Sequence, residues 1–196
     1  MSTRRIQTLV TGLILAATPA AAATQPKAPP DVTVYIQASQ PIAALYLATS
    51  QASVMFRSIG VEVAWVAGNP KRPAEGLALD VQLAADTPVR LLPGALARSF
   101  PYAGSDKPIT VFYDRVERRA AETSTPERML LAHVLVHEIT HVLEAIDRHS
   151  ATGIMKAQWT AADYAVMARQ SLGFDADDVY WIRRQLHKPQ PLLPVQ

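Results

Sequence analysis

A single α/β (α+β) domain built on one mixed sheet is predicted by three features of this 196-residue chain. Strand-like alternation appears with one long helical stretch in the first half, in the order strand, helix, strand, strand, strand. Helical periodicity takes over in the last third. No internal repeat or composition shift divides the two parts, so both must share one core.

The elements follow in order. Asp31 to Gln37 puts Val32, Val34 and Ile36 on one face and reads as a strand. Pro41 to Ile59 carries Ala44, Leu47, Ala48, Val54 and Met55 at helical spacing, and Gly60 is the stop. Val61 to Ala67 alternates again through Val61, Val63 and Trp65, and Leu77 to Ala84 is a third strand after a loop at Lys71 to Glu75. Leu91 to Phe100 is ambiguous, with an edge strand as its one regular reading. Pro108 to Val116, with Ile109, Val111 and Tyr113, is a later strand.

From Ser124 the pattern is helical. Ser124 and Glu127 have capping-box spacing, and Pro126 fits a first turn where its missing N–H costs little. Met129, Leu130, Ala132, Leu135, Val136, Ile139, Val142 and Leu143 then make a helix that is apolar around most of its girth. Thr160 as N-cap, with Asp163 in the first turn, opens a helix over Ala161 to Ser171 that ends before Gly173. Asp175 or Asp177 opens another through Trp181 to His187, with Arg183 and Arg184 where the macrodipole favours cations.

The N-terminus is of a different kind. Arg4 and Arg5 precede a short apolar stretch, Leu9 to Ala17, and then the small residues Thr18 to Ala23. That order predicts a secretory signal peptide over residues 1–23, a short polar leader over 24–30, the domain over 31–188 and a proline-containing tail over 189–196. The apolar stretch is shorter than the roughly 20 residues of a comfortable span, so no stable membrane anchor is expected once the signal is cleaved. The paired arginines hint at a twin-Arg signal, but Gln7 and Thr8 favour the general secretory route. A secreted or periplasmic location follows.

Cleavage also removes the basic excess. The chain has 19 Lys plus Arg against 17 Asp plus Glu, and Arg4 and Arg5 leave with the signal, so the mature balance is neutral. No basic run with interleaved aromatics occurs later, and nucleic acid is not an expected partner. There is no cysteine, which excludes a thiol nucleophile and thiolate zinc ligands.

The chemistry sits inside the apolar helix, at His137-Glu138-Ile139-Thr140-His141. Residues four apart lie one turn apart on one face, so both imidazoles can reach a single ion. Imidazole nitrogen suits Zn2+ at roughly 2.0–2.1 Å. Glu138 projects beside the ion, where a carboxylate can take a proton from water and pass it to a leaving group. An apolar helix rarely accepts His, Glu, Thr and His together unless something satisfies them.

A catalytic zinc needs a third protein ligand and one open position. No glutamate follows Glu144, which itself lies on the same helix, so a glutamate from a later helix is excluded. Asp147, His149, Asp163, Asp175, Asp177 and Asp178 remain. His133, one turn before His137, reads better as a supporting or surface histidine, because a fourth protein ligand would close the site.

The run from His137 to His141, followed by His149-Ser150 and Gly153-Ile154-Met155, resembles the metzincin zinc peptidases, especially small bacterial forms. The resemblance implies a mostly parallel sheet, His149 as third ligand and Met155 in a turn beneath the metal. It extends loosely upstream, where Phe112 to Val116 resembles the strand before the active-site helix. Two departures stand out. The family usually has five residues between the second and third ligands, which would land on Asp147, whereas seven separate His141 from His149. The glycine that normally ends the helix is replaced by Glu144-Ala145. His149 is favoured over Asp147 because imidazole suits zinc and Ser150 follows it; Asp147 then becomes a carboxylate that orients a ligand. Ala157 stands where some relatives place a tyrosine near the metal, so that role is not carried over.

The reading is an exported zinc metallopeptidase, with metal ligands His137, His141 and His149, Glu138 as general base, and a peptide or protein substrate. An amidase acting on a non-peptide amide is the near alternative. A catalytically silent metal-binding or interaction protein of the same fold is the distant one. Specificity is expected to lie in loops at Gly68 to Glu75 and Ser99 to Lys107.

Overall fold

Burial identifies the central strand. Val32, Thr33, Val34, Tyr35 and Ile36 are all buried, on both faces of β1 (Val32–Ala38). The computed structural model describes residues 28–68, 77–102 and 107–188. The predicted signal peptide, most of the leader, the Lys71–Glu75 loop and the tail lie outside them. Among the described residues no helix is long and apolar enough to cross a membrane.

After β1 come α1 (Leu45–Arg57), β2 (Val63–Ala67), β3 (Leu77–Ala84), the two-residue β4 (Ala97–Arg98) and β5 (Ile109–Phe112). Then follow α2 (Tyr113–Thr123), α3 (Glu127–Glu144), α4 (Ala161–Met167) and α5 (Ala176–Leu186). The sheet order is β2-β1-β3-β5-β4, parallel except for the antiparallel edge strand β4. The fold is thus mixed α/β with a mostly parallel sheet, as predicted.

Register explains why the helices collect on one side. Val34 pairs with Trp65 and Leu79, Val81 with Ile109, and Leu83 with Val111, so these side chains share a face. That face joins Ala48, Ala52, Met55 and Phe56 of α1 and the apolar body of α3 in one core. The Trp65 indole N–H donates to Ser53 of α1 at 2.8 Å. The opposite face is more polar, with Thr33, Asp80, Gln82 and Thr110. α3 thus packs against β5, α1, α2 and α5.

The structure corrects several expectations. The strand predicted through Val116 ends at Phe112, and Tyr113 opens α2. Tyr113, Val116 and Ala120 are buried at helical spacing and Asp114 sits in the first turn, a signal that the preceding β-branched run masked. Ser124 does not cap α3; it closes α2 in the left-handed conformation (φ 54°), and Pro126 takes the N-cap position without a side-chain bond. Glu127 instead accepts a hydrogen bond from the Tyr113 hydroxyl, and burial pushes that phenol's pKa well up. The predicted Pro41–Ile59 helix is trimmed to Leu45–Arg57, and Ala161–Ser171 to Ala161–Met167. Thr160 and Asp163 do form a capping box, and Asp175 is the N-cap of α5.

Candidate metal centre

α3 is buried almost throughout: between Met129 and Glu144 every residue is buried except His137 and Glu138. These two open through a window onto a cavity of about 800 Å3. Its walls come from residues 92–99, Arg119 of α2 and residues 156–159. Predicting an amphipathic helix would have missed this arrangement; a helix apolar all round with one polar interruption is what places donors at the floor of a cleft.

His137, His141 and His149 each present a ring nitrogen, and these nitrogens all lie within 4.8 Å of one another. The three side chains are close enough to hold one metal ion. His137 Nδ1 donates to the Ile154 carbonyl at 2.9 Å. That bond sets the tautomer and turns the Nε2 lone pair toward His141 Nε2, 3.1 Å away. Two donors about 2.0–2.1 Å from one tetrahedral ion would stand about 3.3 Å apart, close to this separation. The His149 ring lies 5.4 Å from that of His137 and 4.9 Å from that of His141, centroid to centroid.

Electrostatics keep the three rings neutral. Burial first, then the field of His137 and His149, lowers the His141 pKa to about 3. Burial lowers that of His137, and burial together with His137 lowers that of His149. The Ile146 backbone favours a protonated His141, yet no hydrogen bond of ordinary geometry forms at His141 Nδ1, which is buried without a partner. Three neutral imidazoles aimed at one point fit a borderline ion such as zinc.

Glu138 lines the same cavity. Burial raises its pKa to about 7, against a hydrogen bond from Ser99 and the field of His149.

The other predicted residues find different places. Asp147 lines the cavity but is not among the converging donors; its backbone N–H donates to the Tyr102 hydroxyl at 3.2 Å, and its charge raises the pKa of His149. His133 is neither ligand nor surface group. Fully buried, it donates from Nδ1 to Met129 O at 2.6 Å and accepts the Leu172 N–H at Nε2 at 2.9 Å, so it ties α3 to the segment after α4. Asp163 and Asp175 are spent on helix caps, and Asp178 is buried against Arg148 and Ser150.

The Gly153-Ile154-Met155 turn does more than fill space. Met155 is fully buried and its carbonyl accepts the Ser150 N–H at 2.8 Å. The Ile154 carbonyl holds His137 and also accepts the Trp159 indole N–H at 3.2 Å. Trp159 packs edge-on against His137, with centroids 5.6 Å apart.

One wall of the cavity has its own clamp. Arg115 donates from Nη1 to the carbonyls of Leu92 and Ala95 at 2.6 and 2.9 Å, and from Nη2 to those of Leu91 and Pro88 at 2.5 and 3.2 Å. Four carbonyls on one guanidinium fix a loop in which Leu92 takes a φ of 43°. Arg115→Ala is expected to speed amide exchange at Leu91 and Ala95 at least tenfold while the protein stays folded. Unchanged exchange would show that the loop is held by something else.

No protein-family model matches this chain, and no curated protein matches it significantly.

Proposed function

We propose that this protein is an exported zinc-dependent peptidase in which His137, His141 and His149 hold the metal and Glu138 acts as general base. The observation that carries the reading is the convergence of three neutral imidazoles beside a carboxylate, on the floor of a cavity large enough for a peptide segment. The resemblance of residues 137–155 to metzincins supports zinc as the ion and peptide as the substrate. Zinc bound there supplies a Lewis acid that acidifies water and polarises a carbonyl.

The chain's own groups perform the rest. The bond from His137 Nδ1 to Ile154 keeps the ring neutral and pointed at the shared centre. Glu138, set in a cavity partly screened from bulk water, takes a proton from the attacking water and returns it to the leaving amine. Ser99, on the wall of the same cavity, favours the ionised form of that carboxylate. The walls at 92–99 and 156–159 bracket the substrate.

The purified mature chain is expected to contain one zinc per molecule and to cleave members of a general peptide library. Chelation should abolish that activity and zinc restore it. Absence of stoichiometric metal defeats the metal centre, and a zinc-loaded chain that cleaves no peptide defeats the peptidase reading. His149→Ala should bind zinc far more weakly than wild type, through His137 and His141 alone, and Asp147→Ala should bind it as wild type does; the reverse result would move the third ligand to Asp147.

A further inference from the structure

The seven residues between His141 and His149 form a long tether, and no glycine ends the helix before it. α3 terminates instead on Ala145 in the left-handed conformation, φ 53°, a strained state for a residue with a Cβ. Something must hold this segment if His149 is to meet two rings fixed on a rigid helix. Chain entropy alone would spread its imidazole over many positions.

We propose that Glu144, Arg148 and Asp178 form a charged latch that sets the position of His149, with Asp178 as the positioning residue. The inference rests on the metal-site reading given above. Arg148 and Ser150, the two neighbours of His149, both donate to the same Asp178 oxygen, Oδ1, each at 2.6 Å. The residue between them faces His137 and His141. Arg148 Nε also lies 3.1 Å from Glu144 Oε2, which links the loop back to the end of α3. Asp178 Oδ2 accepts the Asp175 N–H at 2.8 Å, so the carboxylate is itself held by the first turn of α5. Three elements meet at the partly exposed Arg148 guanidinium: the end of the ligand helix, the ligand loop and α5.

Stability alone does not account for this arrangement. The side chains of Asp178 and Glu144 have no exposed surface, and two carboxylates share one guanidinium. Buried charges of this kind are often no better than well-packed apolar groups, because desolvation cancels the attraction. What they provide is direction: hydrogen bonds to charged groups specify distance and angle where apolar contacts do not. Here the direction specified is that of the loop flanking the third imidazole. It follows that α5, which contributes no ligand, is energetically coupled to metal occupancy.

Asp178→Asn keeps the shape of the side chain and removes its charge. The folded variant is expected to bind zinc 10–100-fold more weakly than wild type in a chelator competition, the range seen when groups supporting metal ligands are replaced. Ser150→Ala, which deletes one of the two loop contacts and leaves the buried charges in place, provides a second variant should Asp178→Asn not fold; a loss of about threefold to tenfold is expected. A purely structural role would lower the melting temperature without changing zinc affinity. A role through His149 makes one further demand: in the His149→Ala background, Asp178→Asn should not weaken the residual zinc binding further. Wild-type affinity in folded Asp178→Asn or Ser150→Ala, or full additivity with His149→Ala, overturns the latch and leaves the metal site standing. A wild-type chain that binds no zinc overturns both.

Discussion

Under the proposed mechanism, Glu138→Gln is expected to bind zinc as wild type does and to lose peptide hydrolysis by about 10²–10⁴-fold in kcat, the usual contribution of a positioned acid–base group. The substitution is nearly isosteric, so the helix window and the three imidazoles should persist. Only the ability to accept a proton disappears. Glu138 lines the cavity floor and is one of the two residues of the central helix left partly open to it. Zinc content and kcat must be measured on the same preparation. Turnover within a few-fold of wild type at full zinc loading would remove Glu138 from the role of base, whereas loss of zinc would show that its carboxylate holds the site together.

Gly153→Ala is expected to have the largest effect on stability. A Cβ built at Gly153 meets the Gly173 carbonyl oxygen at 2.3 Å, and the residue has a φ of 72°. The Cβ is fixed by its own backbone and the atom it meets is backbone, so no side chain can swing aside. The left-handed conformation costs a residue with a Cβ about 1–2 kcal/mol. Relief of the clash must also break the hydrogen bond from the Ile154 N–H to Gly173 O, 2.9 Å long, for a further 1 kcal/mol or so. A total of about 2–3 kcal/mol corresponds to a melting temperature about 4–12 °C lower in a domain of this size. Zinc affinity should fall with it, because the Ile154 carbonyl that aims His137 moves with the turn. Gly173→Ala is the control. Its Cβ would meet nothing within 4 Å, so it should be close to neutral. Equal stabilities for the two variants would refute this account of the turn.

Local signals in the chain made much of this visible in advance. The alternation of Val32, Val34 and Ile36 and the run Leu77–Ala84 marked strands, the second with the bounds it has in the structure. Thr160 marked one helix start and Asp175 or Asp177 another, of which the structure takes Asp175, since a cap is a contact between residues two or three apart. The spacing of His137 and His141 on one helical face predicted their meeting for the same reason: four residues along a helix is a fixed geometry. Where two local readings competed, the outcome was not legible. Phe112 to Val116 continues a β-branched strand and also begins the Tyr113, Val116, Ala120 helical face; packing against α3 chose the helix. Ser124 fits an N-cap by spacing, but a short turn between α2 and α3 required its backbone for a left-handed C-cap.

By itself, then, the order of residues determined the fold class, the helix that carries the two histidines, and the donor chemistry, because each depends on periodicity and on neighbours within one or two turns. Only the tertiary structure decided that His149 and not Asp147 joins the other two rings, that His133 is a buried strut, and that Asp178 is bonded to the loop carrying His149 from a distant helix. Those outcomes depend on contacts between residues up to 39 positions apart, such as Leu172 with His133. Their geometry is set by how α3, α5 and the connecting loops pack, and no local pattern encodes the distance between them.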